Sequence, residues 1–225
     1  MVALDGPAAS GKTTVAAHLA DRLGAVFLDT GLLYRAATLM AQRMGLTAAD
    51  ELRISMLIDG GAVSIRPATV ADGRRLDVAL NGEDVTTMLR APEIDAAVSA
   101  ISALPSVRAA LMPLQRSFAR DQRVIMAGRD IASVIFPDAA VKVYLDASLE
   151  ERARRRWLEL VVNAPMLTQN EVESELRRRD EIDSTRETAP LQVAEEAVIV
   201  QTDFKSIQQV VNEVAAIVER AWGVA

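Results

Sequence analysis

The chain has no cysteine. It therefore forms no disulfide and offers no thiolate to a metal, and a reducing cytoplasm suits it. It also lacks an apolar run approaching the roughly 18 residues that a membrane span needs. The longest uncharged stretch, 96–107, is short and carries Ser and Pro. No signal peptide fits ahead of the first motif, which begins at Gly6. Nor is there an excess of positive charge. The net charge is −6, which argues against a general nucleic-acid partner. Lysine is scarce, at 12, 142 and 205 only, and histidine occurs once, at His18. His18 reads as a surface residue of a helix rather than a catalyst. No internal repeat and no low-complexity segment interrupts the chain.

What is present is arginine, and it clusters. Arg152, Arg154, Arg155 and Arg156 form one group, and Arg177, Arg178, Arg179 and Arg186 another. In an acidic protein such groups suggest a site for phosphate or carboxylate, which the guanidinium fork matches bidentately. A solvated helix face paired with Glu150, Glu151 and Glu175 is the plainer alternative. Half of the 225 residues are apolar, enough to bury one sizeable core.

Short apolar strands are predicted near 1–4, 25–28, 124–127, 141–145 and 198–200. They alternate with helical patterns, the last of them amphipathic over 207–222. That alternation implies an α/β fold, with a parallel five-stranded sheet covered by helices on both faces. Thr30 is placed to cap a helix running to about 44. Another helix is expected over about 48–58, and a longer one over 92–120, broken near Pro105. Residues 148–151 read as a capping box that opens an Arg-rich helix. A looser stretch over 163–169 leads to a further helix ending near Arg179. Between 63 and 85 the pattern turns to short strands, with Asn81-Gly82 as a hairpin signal because both turn residues tolerate positive φ.

Gly6-Pro7-Ala8-Ala9-Ser10-Gly11-Lys12-Thr13 matches G-x-x-x-x-G-K-[ST], with an apolar strand before it and an amphipathic helix after it, joined through Thr14. Its glycines let successive N–H groups turn inward around phosphates at a helix N-terminus. Lys12 is expected to reach the outer phosphates of ATP, and the Thr13 hydroxyl to hold Mg²⁺. A GTPase is excluded, since no Asn is followed by Lys. A motor ATPase is disfavoured by chain length and by the lack of an acid at the end of strand 124–127. The expectation is a small-molecule kinase.

Three further strings sharpen this reading: residues 29–35 (DTGLLYR), 128–131 (GRDI) and 179–186 (RDEIDSTR), the last followed by Ala189-Pro190-Leu191. With the phosphate loop, and with LNGEDVT at 80–86, they resemble the bacterial cytidylate kinases over nearly the whole chain. The resemblance implies a single domain over 1–223, with a core of about 1–29, 121–148 and 187–223. It implies a small β-containing acceptor-binding insertion at about 30–120 and a helical, Arg-rich lid at about 149–186. It implies that Arg35, Arg129 and Arg186 hold the acceptor phosphate, and that Ser99, Arg108 and Asp130 read the cytosine edge. Arg179 and Asp183 would hold the sugar, and Thr30 and Tyr34 would line the acceptor pocket. Arg152, Arg155 and Arg156, with Arg154, would form the lid over the ATP phosphates. The implied substrates are ATP with CMP or dCMP. The polar, Arg-rich segments suggest a monomer, and the absence of Cys suits the cytoplasm. The chain departs from its relatives at Ala127, where many carry an acid just before Gly-Arg-Asp. Asp5 or Asp130 would then have to support Mg²⁺. It departs also at Ala132, and at 161–165, which is more apolar than a polar lid turn.

The residue types suit this chemistry in their own right. A carboxylate such as Asp130 accepts from the cytosine amino group, whereas uracil would set a carbonyl lone pair against it. The mismatch corresponds to about 10²-fold discrimination. The acceptor phosphate is already anionic, so no general base is required, and catalysis reduces to alignment and charge neutralisation by Lys12, Arg35, Arg129 and Arg186. Other small-molecule P-loop kinases, acting on UMP, AMP or a sugar acid, are the alternative enzymes, and a non-catalytic nucleotide-binding module is a more distant one. Lys12→Ala and Arg129→Ala should each lower turnover by ~10²-fold or more. Near-normal rates in both purified, folded variants would refute these assignments.

Overall fold

The computed structural model describes residues 1–120, 122–162 and 164–223, so Asn163 and part of the 161–165 turn lie outside it. In chain order the elements are β1 (Val2–Asp5), α1 (Lys12–Leu23), β2 (Val26–Asp29), α2 (Gly31–Arg43), α3 (Glu51–Asp59), β3 (Val63–Pro67), β4 (Leu76–Leu80) and β5 (Glu83–Asp84). They continue with α4 (Pro92–Ser102), α5 (Pro105–Phe118), β6 (Val124–Ala127), β7 (Val141–Asp146), α6 (Leu149–Leu160), α7 (Gln169–Thr185), β8 (Val198–Gln201) and α8 (Ile207–Trp222). A five-stranded sheet has the order β2-β6-β1-β7-β8, and a three-stranded sheet the order β3-β4-β5. The chain divides into two compact units, Met1–Phe27 with Gln122–Ala225, and Leu28–Asp121.

In the first unit β1 pairs in parallel with β6 on one side and with β7 on the other, and β7 pairs in parallel with β8. The strands are apolar because they are central. Val2, Leu4, Ile125, Val143 and Leu145 form one core with Val15 and Leu19 of α1 and Val210, Val214 and Val218 of α8. Ala3 and Met126 alternate to the opposite face and are equally buried. After β6 the chain makes a π-helical turn, Ile131–Ile135, which packs on β1.

In the second unit α2–α5 and the antiparallel β3–β4–β5 sheet enclose a separate core around Leu33, Met40, Ile54, Val78, Leu89 and Leu111. Asn81 and Gly82 join β4 to β5 at φ 49° and 86°, as a two-residue hairpin turn requires.

Three local expectations change, and a fourth holds. Thr30 sits at the N-cap of α2 but makes no side-chain cap. Asp29, one residue earlier, accepts the Gly31 N–H at 3.0 Å instead. At 148–151 only half of the capping box forms. Ser148 Oγ accepts the Glu151 N–H at 3.3 Å, while Ser148 N–H goes to Asp203 and the Glu151 carboxylate pairs with Arg154 and Arg155. Helix α7 runs past Arg179 to Thr185, anchored by a capping box between Thr168 and Glu171. The 92–120 helix does divide at Pro105, yet Pro113 does not interrupt α5. Pro113 and Ala109, whose carbonyl loses its i+4 donor, are both exposed, so water serves that carbonyl.

The tightest point is Gly6. Its φ is 148°, and a Cβ there would lie 2.1 Å from the Leu145 carbonyl oxygen of β7. A side chain at residue 6 would push the loop off the sheet. Gly6→Ala should therefore destabilise the protein by about 2–4 kcal/mol, measured by chemical denaturation. Wild-type stability would refute the close approach.

Candidate active site

The loop between β1 and α1 is shaped for phosphate. Ala9 and Gly11 both take positive φ, 58° and 92°. Gly11 is the N-cap of α1 and supplies no side-chain cap, so the first N–H groups of the helix face the loop's concavity. Lys12 is buried, and its Nζ donates to Pro7 O at 2.5 Å and to Ser10 Oγ at 3.3 Å. Thr13 is half-buried and Thr14 exposed. A backbone with no room for a Cβ at Gly6 and a lysine folded over the loop suit a nucleoside triphosphate. Among the described residues no cluster of three or more His, Cys, Asp or Glu side chains is built to hold a metal. Mg²⁺ here would rest on Thr13 and the substrate phosphates, its usual arrangement.

The lid arginines divide. Arg152 is buried and committed to protein groups. Its Nε donates to Ala147 O at 3.0 Å and its Nη1 to Ala8 O at 3.2 Å, and it pairs with Asp180 at 2.7 Å. Through Ala8 it is tied directly to the phosphate loop. Arg155 is held by Glu151 and Thr202, and its Nη1 lies 4.0 Å from the position of a Cβ on Gly11. That places it over the phosphate loop. Arg154 and Arg156 lie further out, in surface pairs with Glu151 and Glu159. Arg177 and Arg178 follow the plain alternative, pairing with Glu173 and Glu175 along α7.

At the end of β6 a second constellation forms. Arg129 Nε donates to Asp183 Oδ2 at 2.9 Å. Arg186 Nε donates to Ala189 O at 2.6 Å, and its Nη atoms lie 3.7 Å from Asp183 and 3.8 Å from Asp130. Burial opposes ionisation of Asp183, but Arg129, then Arg179 and Arg186, more than offset it and hold the carboxyl below its ordinary range. Asp183 and Arg186 thus sit among the groups expected to hold sugar and phosphate, because α7 continues to Thr185, carrying Arg179 and Asp183 one turn apart and leaving Arg186 at its C-cap.

In the second unit Arg35 donates to Leu89 O at 3.0 Å and forms an ion pair with Asp95. Arg108 lies 5.1 Å over the Tyr34 ring and donates to Ser102 O at 3.0 Å. Gln115 donates to Tyr34 Oη at 3.5 Å. Thr30, Ser99 and Arg108 are all buried. His18 is exposed.

Sequence reasoning missed Asp95, Gln115, Asp180 and Thr202 as partners. Thr202 carried one usable signal, its place just after a parallel strand, where loops gather beside ligands. Asp5, considered only as support for Mg²⁺, has another task. Its two oxygens accept the N–H groups of Ile131 at 2.9 Å and Ala132 at 2.7 Å. Ala127 beside it is a buried core residue.

The cytidylate kinase family model matches residues 2–220. A cytidylate kinase of Geobacter sulfurreducens is 43% identical over 218 residues, covering 97% of this chain and 92% of the relative. One of Herpetosiphon aurantiacus is 41% identical over 217 residues, covering 96% and 93%. The chain belongs to the cytidylate kinase family. A bifunctional pantoate ligase/cytidylate kinase of Synechococcus elongatus is 42% identical over 215 residues, which are 95% of this chain and 41% of that relative.

In this cytidylate kinase family member Asp5 sits in its site at an electrostatic cost. Burial pushes its carboxyl up to about 6, and the N–H groups of Ala132 and Ile131 only partly offset this; Asp130 adds to the rise and Lys12 opposes it. A carboxyl whose folded pKa exceeds its ordinary 3.8 contributes stability that is present at low pH and lost as pH rises through the folded value. Asp5→Asn cannot titrate there. Between about pH 4 and about pH 7 the difference in unfolding free energy should therefore shift by about 2 kcal/mol in the variant's favour. Denaturation at both pH values measures it, and parallel pH dependences would contradict it.

Proposed function

We propose that the chain transfers the γ-phosphoryl group of ATP to CMP or dCMP, giving ADP and CDP or dCDP. The observation that carries this reading is the cluster of Arg129 and Arg186 around the buried Asp130 and Asp183, folded into the same unit as the phosphate loop. It offers guanidinium groups for a phosphate, a carboxylate for a sugar hydroxyl and a carboxylate for an exocyclic amine.

The residues divide the work by chemistry. Loop N–H groups and Lys12 hold the ATP phosphates, with Arg155 poised over them. Mg²⁺, held through Thr13 and the phosphates, supplies further charge neutralisation. Arg35, Arg129 and Arg186 bind the acceptor phosphate, exchanging their bonds to Asp95, Asp183 and Ala189 O for bonds to phosphoryl oxygens. Arg179 and Asp183 hold the sugar. Asp130 accepts from the cytosine amino group, while Arg108, Ser99 and the Tyr34 ring complete the base contacts. The acceptor oxygen needs no proton removed, so alignment and field are the whole of the protein's contribution. As part of the same proposal, the protein acts as a cytoplasmic monomer on small nucleotides.

A coupled assay of ADP release over CMP, dCMP, UMP, AMP and GMP tests this directly. CMP and dCMP should be turned over, with kcat/KM about 10²-fold above UMP. Preference for UMP, AMP or GMP would overturn the assignment, and ATP binding without turnover of any monophosphate would leave a binding module instead.

A further inference from the structure

The π-helical turn that follows Gly128-Arg129-Asp130 begins with an anomaly. Asp130 occupies its N-cap position, and Asp is among the best N-cap residues because its carboxylate accepts the first N–H groups of the turn. Here Asp130 makes no such side-chain cap. The cap comes from another strand. Asp5, the last residue of β1, accepts the Ile131 N–H at 2.9 Å through one oxygen and the Ala132 N–H at 2.7 Å through the other. Both amides are buried with it: Asp5 is 2% exposed, Ile131 0% and Ala132 3%. Without an acceptor, each would be an orphaned donor in a dry site. Within the turn, Val134 and Ile135 donate to Asp130 O at 2.9 and 3.2 Å and Phe136 to Ile131 O at 2.7 Å, and these bonds leave the Ile131 and Ala132 N–H groups to Asp5. The turn's five residues are π-helical, a rare geometry that concentrates at functional sites, and the buried Ser133 hydroxyl has no hydrogen-bond partner.

We propose that Asp5 is a positioning residue that caps the 131–135 turn in place of Asp130, and so reserves the Asp130 carboxylate for the acceptor base. The proposal rests on the reading of Asp130 as the base-reading carboxylate. The same strand end that launches the phosphate loop at Gly6 thereby orients the group that selects the acceptor. Asn at position 5 can accept through one oxygen only, and Ala through none. The amide left over then recruits the nearest carboxylate, Asp130, into the cap position that it would occupy in an ordinary helix start. Asp130 would be drawn from the base, and cytosine would lose its advantage over uracil.

The readout is the ratio of kcat/KM for CMP to that for UMP, measured for wild type, Asp5→Asn, Asp5→Ala and Asp130→Asn, each checked for folding by circular dichroism. The ratio should fall about 10-fold or more in Asp130→Asn and in Asp5→Ala, and by less in Asp5→Asn. General loosening of the site would slow CMP and UMP alike, so an unchanged ratio with equal losses in both Asp5 variants overturns the capping role. If Asp130→Asn itself keeps the wild-type ratio, the base-reading role of Asp130 falls, and this proposal with it. Should neither Asp5 variant fold, the wild-type protein supplies the test by NMR. The amide protons of Ile131 and Ala132 should shift in step with the Asp5 carboxyl carbon as pH is varied, with Asp130 and Lys12 as the neighbouring charges. Amide shifts that ignore the Asp5 titration overturn the capping role equally.

Discussion

Parallel pairing on both sides of β1 is the constraint from which the first unit's chemistry follows. Parallel neighbours end at the same edge of a sheet. With β6 and β7 both aligned to β1, the phosphate loop after Asp5, the Gly128-Arg129-Asp130 turn after β6 and the start of α6 after β7 leave from one edge. The sheet holds them at strand spacing, and bonds across the edge fix their orientation. Asp5 reaches the turn after β6. Arg152, from α6, reaches the loop carbonyl of Ala8. Thr202, after β8, takes Arg155 and approaches Ser10 O. Gly6 is the corollary of that crowding, since the Leu145 carbonyl leaves no space for a side chain.

Charge is the second organising feature. A site for two anionic nucleotides must store many guanidinium groups, and these would repel one another if left alone. In the first unit carboxylates are set among them, Asp183 between Arg129 and Arg186, Asp180 on Arg152 and Glu151 on Arg155, and in the second unit Asp95 lies on Arg35. The pairs keep the buried charges compensated. The same logic separates roles inside one cluster. Arg152 and Arg155 are three residues apart on α6, yet the first is bonded to the carbonyls of Ala147 and Ala8 and to Asp180, and the second lies over the phosphate loop.

Much of this was legible from the residues in order. The apolar strands, the phosphate loop with its flanking strand and helix, the Asn81-Gly82 hairpin and the break at Pro105 each obey local rules of backbone and hydropathy, and local rules are written in adjacent residues. The misses were of a different kind. The capping box expected at Ser148 lost its second half because Asp203, distant in sequence, captured the Ser148 N–H and two arginines captured Glu151. Thr30 lost its capping role to Asp29. Helix α7 outran its expected end because the polar residues after Arg179 meet partners on a face that periodicity cannot weigh.

The sequence by itself determined the kind of site: a glycine-lined loop for phosphate, an arginine-rich segment and a carboxylate beside a guanidinium at 129–130. Such features depend on which residues are neighbours in the chain, and that is fully written there. Only the tertiary structure decided which arginine is tied to the Ala8 carbonyl and which lies over the phosphate loop, that Arg35 pairs with Asp95, and that Asp5 rather than Asp130 caps the turn after β6. Those outcomes depend on competition among donors and acceptors far apart in the chain. The geometry that settles such competition exists only once the strands have paired.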